Sequence, residues 1–311
     1  MSQTVPATRR EEAVIASATW EATPRVSIVL SSFRGGEDHD GTKLEGLADP
    51  CPPDVELSTS RLEAMLARAL ELGGLRRGGL ERIVGRDDWV VILPALGMSP
   101  RAGAVTDPRL IPALLAWLKE RKAGSRVEVA DLSARAPTVE IPVSGRAFAP
   151  RNRTGSYRVV RAFQECDKLI SLSPLRTDPD LGVALAMSNH LRVAPGESLR
   201  ALGEPHQLLV DLFALRPADY AIVGGSWGLE GEGEKTASVR YNVLIAGSKA
   251  PAVDAVAAAV MGFDPARLPF LELAERRGFQ GRDTDATWTR GNSIDDARRS
   301  FRKPGHWGQV K

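Results

Sequence analysis

Two cysteines, Cys51 and Cys166, are the whole thiol complement of this 311-residue chain. Neither belongs to a Cys-x-x-Cys pair, which excludes an iron–sulfur cluster or a structural zinc built from this chain's own thiolates. Two reduced thiols in a cytosolic setting are the expectation. Histidine is nearly as sparse, with 4 residues, and no His-x-x-x-His or His-Glu pair is among them, so the zinc hydrolase pattern is missing. There is no Gly-x-Ser-x-Gly elbow, no phosphate loop ending in Gly-Lys-Ser or Gly-Lys-Thr, and no glycine cluster that opens a helix in the dinucleotide-binding manner. An excess of one charge is also lacking. The net charge of +2 argues against a dedicated nucleic-acid surface. No apolar run reaches the roughly 20 residues needed to cross a bilayer. Arg9 and Arg10 are followed by Glu11 and Glu12 rather than by the apolar core of a secretory signal. The expectation is a cytoplasmic protein with neither nucleic acid nor membrane as partner, and nothing in the sequence sets its oligomeric state.

Short apolar runs alternating with helical stripes are what the chain does have. Runs at 26–30, 89–93, 127–131, 168–172, 220–223 and 242–246 predict strands. Between them, Ser60-Arg61-Leu62-Glu63 reads as a capping box opening a helix with Leu62, Met65, Leu66, Ala69 and Leu70 on one face. Thr106-Asp107-Pro108 opens another, and 205–215 and 252–261 add two more. Strands alternating with helices imply an α/β fold with a mostly parallel or mixed sheet covered on both faces, here in two lobes. The organisation expected is a flexible arm over 1–24, an α/β domain over 25–281 with lobes meeting near 132–165, and a polar tail over 282–311 held down by Trp288 and Trp307.

The most conspicuous candidate site is the run Gly224 to Glu234, a glycine-rich segment leaving the end of a predicted strand. Glycine permits sharp turns and close approach to a ligand, and loops at strand ends are where α/β proteins build sites. Glu230, Glu232 and Glu234 alternate along it. Such carboxylates suit acid/base chemistry or hard cations such as magnesium or calcium, and also suit a solvated acidic loop. Asp38-His39-Asp40 is a second polar cluster, readable as a base with an orienting acid or as a polar turn. Thr106 stands at a helix start whose free N–H groups could hold an anion, or simply cap the helix. His190 and His206 read as structural histidines.

Taken in order, several pieces of the chain resemble the large prokaryotic family called domain of unknown function 362. These are the strand at 26–30, the helix ending Ala69-Leu70-Glu71-Leu72-Gly73-Gly74, the strand at 89–94 and the Thr-x-Pro of Thr106 to Pro108. They continue with the stretch Cys166 to Asn189, the Glu-Gly-x-Gly of Glu230 to Gly233, and Val243-Leu-Ile-Ala-Gly through Ala252-Val-Asp-Ala-Val to Met261-Gly-Phe-Asp-Pro265. The resemblance spans about 25–281. It implies a two-lobed α/β protein. Many members carry a ferredoxin-type iron–sulfur module, for which this chain has no cysteines, and the first lobe is similar in pattern to nickel-pincer lactate racemases.

The chain also departs from that pattern. Leu93-Pro94-Ala95 stands where the family tends to have Lys-Pro-Asn, Pro174-Leu175-Arg176-Thr177-Asp178 where it has a Pro-x-Leu-Lys-x-His type motif, and Ser188 where a lysine precedes the asparagine. Gly224 and Gly225 replace an acid. Asn189, Glu230, Gly231, Gly233 and Asp254 are kept. The resemblance therefore implies a cleft for a small anionic molecule. In it Arg176 would pair with a carboxylate or phosphate, and Asn189, Thr106, Gly231 and Gly233 would contact the ligand. Glu230 would act as base, and Glu232 and Asp254 would be oxygen ligands for a divalent metal. The rival readings are a non-catalytic binding or scaffold protein that has lost the family's ionisable residues, and a redox partner of a separate ferredoxin.

Overall fold

The computed structural model describes residues 23–38, 41–75, 78–97, 99, 101–133, 135–142, 156–194 and 204–308. Most of the 1–24 arm, together with His39 and Asp40, lies outside them.

The elements run β1 (Arg25–Leu30), β2 (Gly35–Glu37), β3 (Lys43–Glu45), α1 (Thr59–Leu72), β4 (Trp89–Pro94), α2 (Leu110–Glu120), β5 (Arg126–Val129), β6 (Thr138–Pro142), β7 (Ser156–Val160), α3 (Arg161–Glu165) and β8 (Lys168–Asp178). They continue with β9 (Gly182–Ala184), α4 (Pro205–Leu215), β10 (Tyr220–Glu230), β11 (Ala237–Gly247), α5 (Ala250–Val260), α6 (Pro269–Arg276), β12 (Trp288–Gly291) and α7 (Ile294–Ala297). All six predicted strands enter one mixed sheet of order β12-β1-β11-β10-β8-β4-β5, with β9 pairing β8 off that path. The neighbours β10, β8, β4 and β5 are parallel, whereas β11 runs antiparallel to both β1 and β10. The pairs β2–β3 and β6–β7 are separate hairpin ladders.

The central strands are continuously apolar because both faces are covered. In β4, Val90 and Ile92 pack with Leu66, Leu70, Leu114 and Leu118 of α1 and α2. Val91 and Leu93 point the other way, into a cluster with Leu208 and Leu212 of α4, Val253 and Val256 of α5 and Phe270 of α6. Helix α1 starts two residues before the predicted box. Ser58 is the cap, its Oγ accepting the N–H of Arg61, and Ser60 Oγ lies 3.1 Å from it.

The larger corrections are in β8 and β10, each 11 residues long. The glycine-rich run read as a loop is strand up to Glu230, interrupted by a bulge between Gly225 and Trp227. Its glycines serve backbone packing. Gly224 has φ +122°, and a Cβ there would stand 2.1 Å from the carbonyl oxygen of Val243. The 282–311 tail contributes β12, paired in parallel with β1.

Topology singles out one place in the sheet. From β4 the chain passes through α2, on one face, to β5 on one side. It then returns to β8 on the other side of β4 and passes through α4, on the opposite face, to β10. The crossovers diverge between β4 and β8, and the crevice beyond the carboxyl ends of such strands is where open α/β sheets bind ligands.

Candidate functional site

Beyond Pro94, the last β4 residue paired with β8, the backbone carbonyls of the two strands are read by side chains from outside the sheet. The Thr106 hydroxyl donates to the carbonyl oxygen of Leu172 at 2.7 Å and accepts the N–H of Ala95 at 2.9 Å. The Asn189 amide Nδ2 donates to Leu93 O (3.1 Å), Leu172 O (3.2 Å) and Ser171 Oγ (3.0 Å). Thr106 and Asn189, predicted from distant parts of the chain, thus meet at the junction of β4 and β8. Asn189 is buried, and its Oδ1 has no hydrogen-bond partner among the described residues. A buried acceptor left unpaired costs about 1–3 kcal/mol and marks a place where a donor belongs.

Asn189 sits in a 3₁₀ helix, Met187–Arg192. Asp254 holds the entry to that helix. Its two carboxylate oxygens accept the N–H groups of Ala186 at 2.9 Å and Met187 at 3.0 Å. Burial pushes the Asp254 pKa up to about 7, against the pull of these two N–H groups. Three residues after Asn189, on the same side of a 3₁₀ turn, comes Arg192. Its guanidinium donates to the carbonyl oxygen of Leu96, in the segment that follows β4. Its pKa is lowered by burial and then by repulsion from Arg176.

Arg176, near the end of β8, is itself lowered by burial, only partly opposed by Asp178. Its Nε is buried without a partner, and among the described residues neither arginine has a carboxylate within 4.0 Å. Two desolvated guanidiniums that feel each other, with only Asp178 acting on Arg176 from beyond ion-pair distance, form an electrostatic deficit that an anion would relieve.

A second charged cluster lies at the β10 bulge. Arg109 grips Asp107 through both oxygens, Nε at 3.0 Å and Nη2 at 2.8 Å, and also donates to Ser226 Oγ at 2.6 Å and Leu57 O at 2.9 Å. Burial would raise the Asp107 pKa, but the hydrogen bonds and charge of Arg109 outweigh it and hold the carboxyl below its ordinary value. This pair ties the segment before α2 to the bulge.

The remaining predicted residues lie elsewhere. Arg176 stands opposite Leu229 in the β8–β10 ladder. The next residue, Glu230, therefore projects to the other face, where its Oε2 accepts the N–H of Arg302 at 2.9 Å. Gly231 donates to Arg302 O at 2.9 Å and accepts from Thr177 Oγ1 at 2.8 Å. Gly231 and Gly233 have positive φ, +83° and +56°, as the turn after β10 requires. Glu232 is exposed on that turn, far in character from the buried Asp254. Among the described residues no group of three or more His, Cys, Asp or Glu stands together as a metal site. Asp38 is spent on an ion pair with Arg290 at 2.6 Å. His190 is structural, as expected: it is fully buried between Phe163 and Phe213, its ring nitrogens face the carbonyls of Met187 and Arg216, and burial lowers its pKa to about 4.

Sequence reasoning missed Arg192 and the Asp107–Arg109–Ser226 cluster. The only available signal for Arg192 was its spacing of three from Asn189, which has meaning only once the turn is known to be 3₁₀.

A family model described as Domain of unknown function (DUF362) matches residues 134–259. That span includes β8, the 3₁₀ turn with Asn189 and Arg192, β10 and Asp254, but neither β4 nor Thr106. A thylakoid-associated protein of Synechocystis sp. is 23% identical over 239 residues, covering 68% of this chain and 74% of that protein. No solved structure matches the chain. Among the described residues, no helix is long and apolar enough to cross a membrane.

Proposed function

We propose that this chain, whose residues 134–259 belong to the DUF362 family, binds a small anionic molecule in the crevice between the carboxyl ends of β4 and β8. The observation that carries the reading is the pair Arg176 and Arg192, both desolvated and without a carboxylate partner among the described residues. Their planar forks suit a carboxylate or phosphate. Asn189 offers its unpartnered Oδ1 to a donor on the ligand. Thr106 and Asp254 act through others, Thr106 by fixing the segment after β4 and Asp254 by fixing the turn that carries Asn189.

The geometry favours binding over acid/base catalysis. Glu230 faces away from Arg176 and is engaged by Arg302, and the Asp107 carboxylate is held ionised by Arg109. Asp107 is thereby not poised to shuttle a proton at neutral pH.

The test is calorimetric titration of the full chain with inorganic phosphate and with malonate, alongside thermal unfolding. At least one anion is expected to bind and to raise the unfolding temperature. Arg176→Met should weaken that binding at least tenfold, about 1.4 kcal/mol, while leaving the anion-free protein equally or more stable, because an uncompensated buried charge is removed. Anion binding unchanged in both Arg176→Met and Arg192→Met would refute the reading.

A further inference from the structure

A cavity of about 450 Å³, whose lining includes none of Arg176, Asn189, Arg192 or Thr106, lies between the carboxyl end of α5 and the C-terminal tail. The tail makes it. Arg299 N–H donates to Val260 O at 2.8 Å and Phe301 N–H to Met261 O at 2.9 Å, stitching the tail across the helix end. Gly262, at φ +81°, allows this, since a Cβ there would come within 3.0 Å of Ser300. Further on, the Trp307 indole N–H donates to Pro179 O at 3.2 Å and anchors the tail's far end.

The walls combine rings and cations. Phe263 and Trp307 supply the flat surfaces, and Arg267, Arg298 and Lys303 supply three positive charges against the one carboxylate of Asp264. That carboxylate is already engaged. Its Oδ1 accepts the N–H of Ala266 at 3.0 Å, and its Oδ2 lies 3.3 Å from Arg267. Arg298 pairs with Asp295 at 3.1 Å. Both ion pairs involve half-exposed arginines, where such pairs contribute little and yield to a better anion. Lys303 has no carboxylate within 4.0 Å among the described residues. Its Nζ lies instead 5.2 Å from the centre of the Phe263 ring.

The volume lies within the range of small-molecule sites. We infer that this tail-built cavity is a second binding site, for a phosphorylated small molecule carrying a planar ring, of nucleoside monophosphate size. The phosphate sits among Lys303, Arg298 and Arg267, and the ring lies against Phe263 and Trp307. This inference is independent of the crevice.

Calorimetric titration of the full chain with adenosine 5′-monophosphate tests it, with adenosine and inorganic phosphate as partial probes. The monophosphate is expected to bind at least tenfold more tightly than adenosine. Lys303→Glu and Arg298→Glu, both at accessible positions, should each weaken it at least tenfold, whereas Arg176→Met in the crevice should leave it unchanged. The proposal is overturned if the monophosphate shows no binding up to about 10 mM, a level at which even very weak sites fill. It is equally overturned if adenosine binds as well, if both charge reversals leave the affinity intact, or if Arg176→Met abolishes the binding.

Discussion

Thr106 and Asn189, 83 residues apart in the chain, donate to the same acceptor, the carbonyl oxygen of Leu172, at 2.7 and 3.2 Å. Through it the segment after β4 and the 3₁₀ turn after β8 are held in register with each other. Thr106→Val keeps the shape and deletes the hydroxyl. It should cost about 1 kcal/mol of stability in denaturant unfolding and weaken anion binding at Arg176 and Arg192. Thr106→Ser should restore both. Unchanged affinity in the valine variant would show that the segment needs no such tether.

Glu230→Gln tests whether this carboxylate has any chemistry to perform. The amide oxygen still accepts the Arg302 N–H, and only the 3.8 Å contact with the half-exposed Arg302 guanidinium loses its charge. The expected outcome is a stability change of less than about 1 kcal/mol and an unaltered anion affinity. A tenfold or larger loss of binding would bring Glu230 back into the site.

Asp254 and His190 make opposite contributions to the pH dependence of stability. Asp254 has a folded pKa raised to about 7 from 3.8. Between those values the folded state holds more protons, so its contribution falls as pH rises through that window. His190 has a folded pKa lowered to about 4 from 6.5. There the unfolded state holds more protons, so its contribution rises with pH between those values. The two slopes oppose each other from about pH 4 to 6.5. Urea unfolding across this range should show stability rising with pH more steeply in Asp254→Asn than in the wild type, and less steeply in His190→Gln. Parallel profiles in all three proteins would contradict the assignment.

Gly228 is where the tail meets the sheet. A Cβ there would lie 2.7 Å from the Phe301 ring and 3.1 Å from Leu175 O. Gly228→Ala should therefore displace Phe301, destabilise the protein by about 1–3 kcal/mol as overpacking does, and speed proteolysis of the chain after about residue 298. A variant with wild-type stability and an equally resistant tail would mean that the ring moves aside at no cost.

How far a property could be read from the sequence followed from how local its cause is. Six of the eight sheet strands and the cores of α1, α4 and α5 are visible because a strand buried on both faces, as all of the six but the edge strand β5 are over most of their length, must be largely apolar, and a helix packed on one must carry an apolar stripe. The likeness of residues 134–259 to the DUF362 family is visible for a related reason: it is a matter of residues in order. The glycine-rich run was misread as a loop because glycine serves equally for turning and for admitting another chain closely. Only the presence of Val243 beside Gly224 and of Phe301 beside Gly228 shows which applies. Thr106 and Asn189 are each legible singly, but their meeting at Leu172 depends on strand order, which no local pattern encodes. The same holds for Arg176 and Arg192. Arginine in a sequence reads as a solvated cation, and whether it is buried beside another cation, with no carboxylate in reach, is a property of burial and distance that only the folded chain possesses.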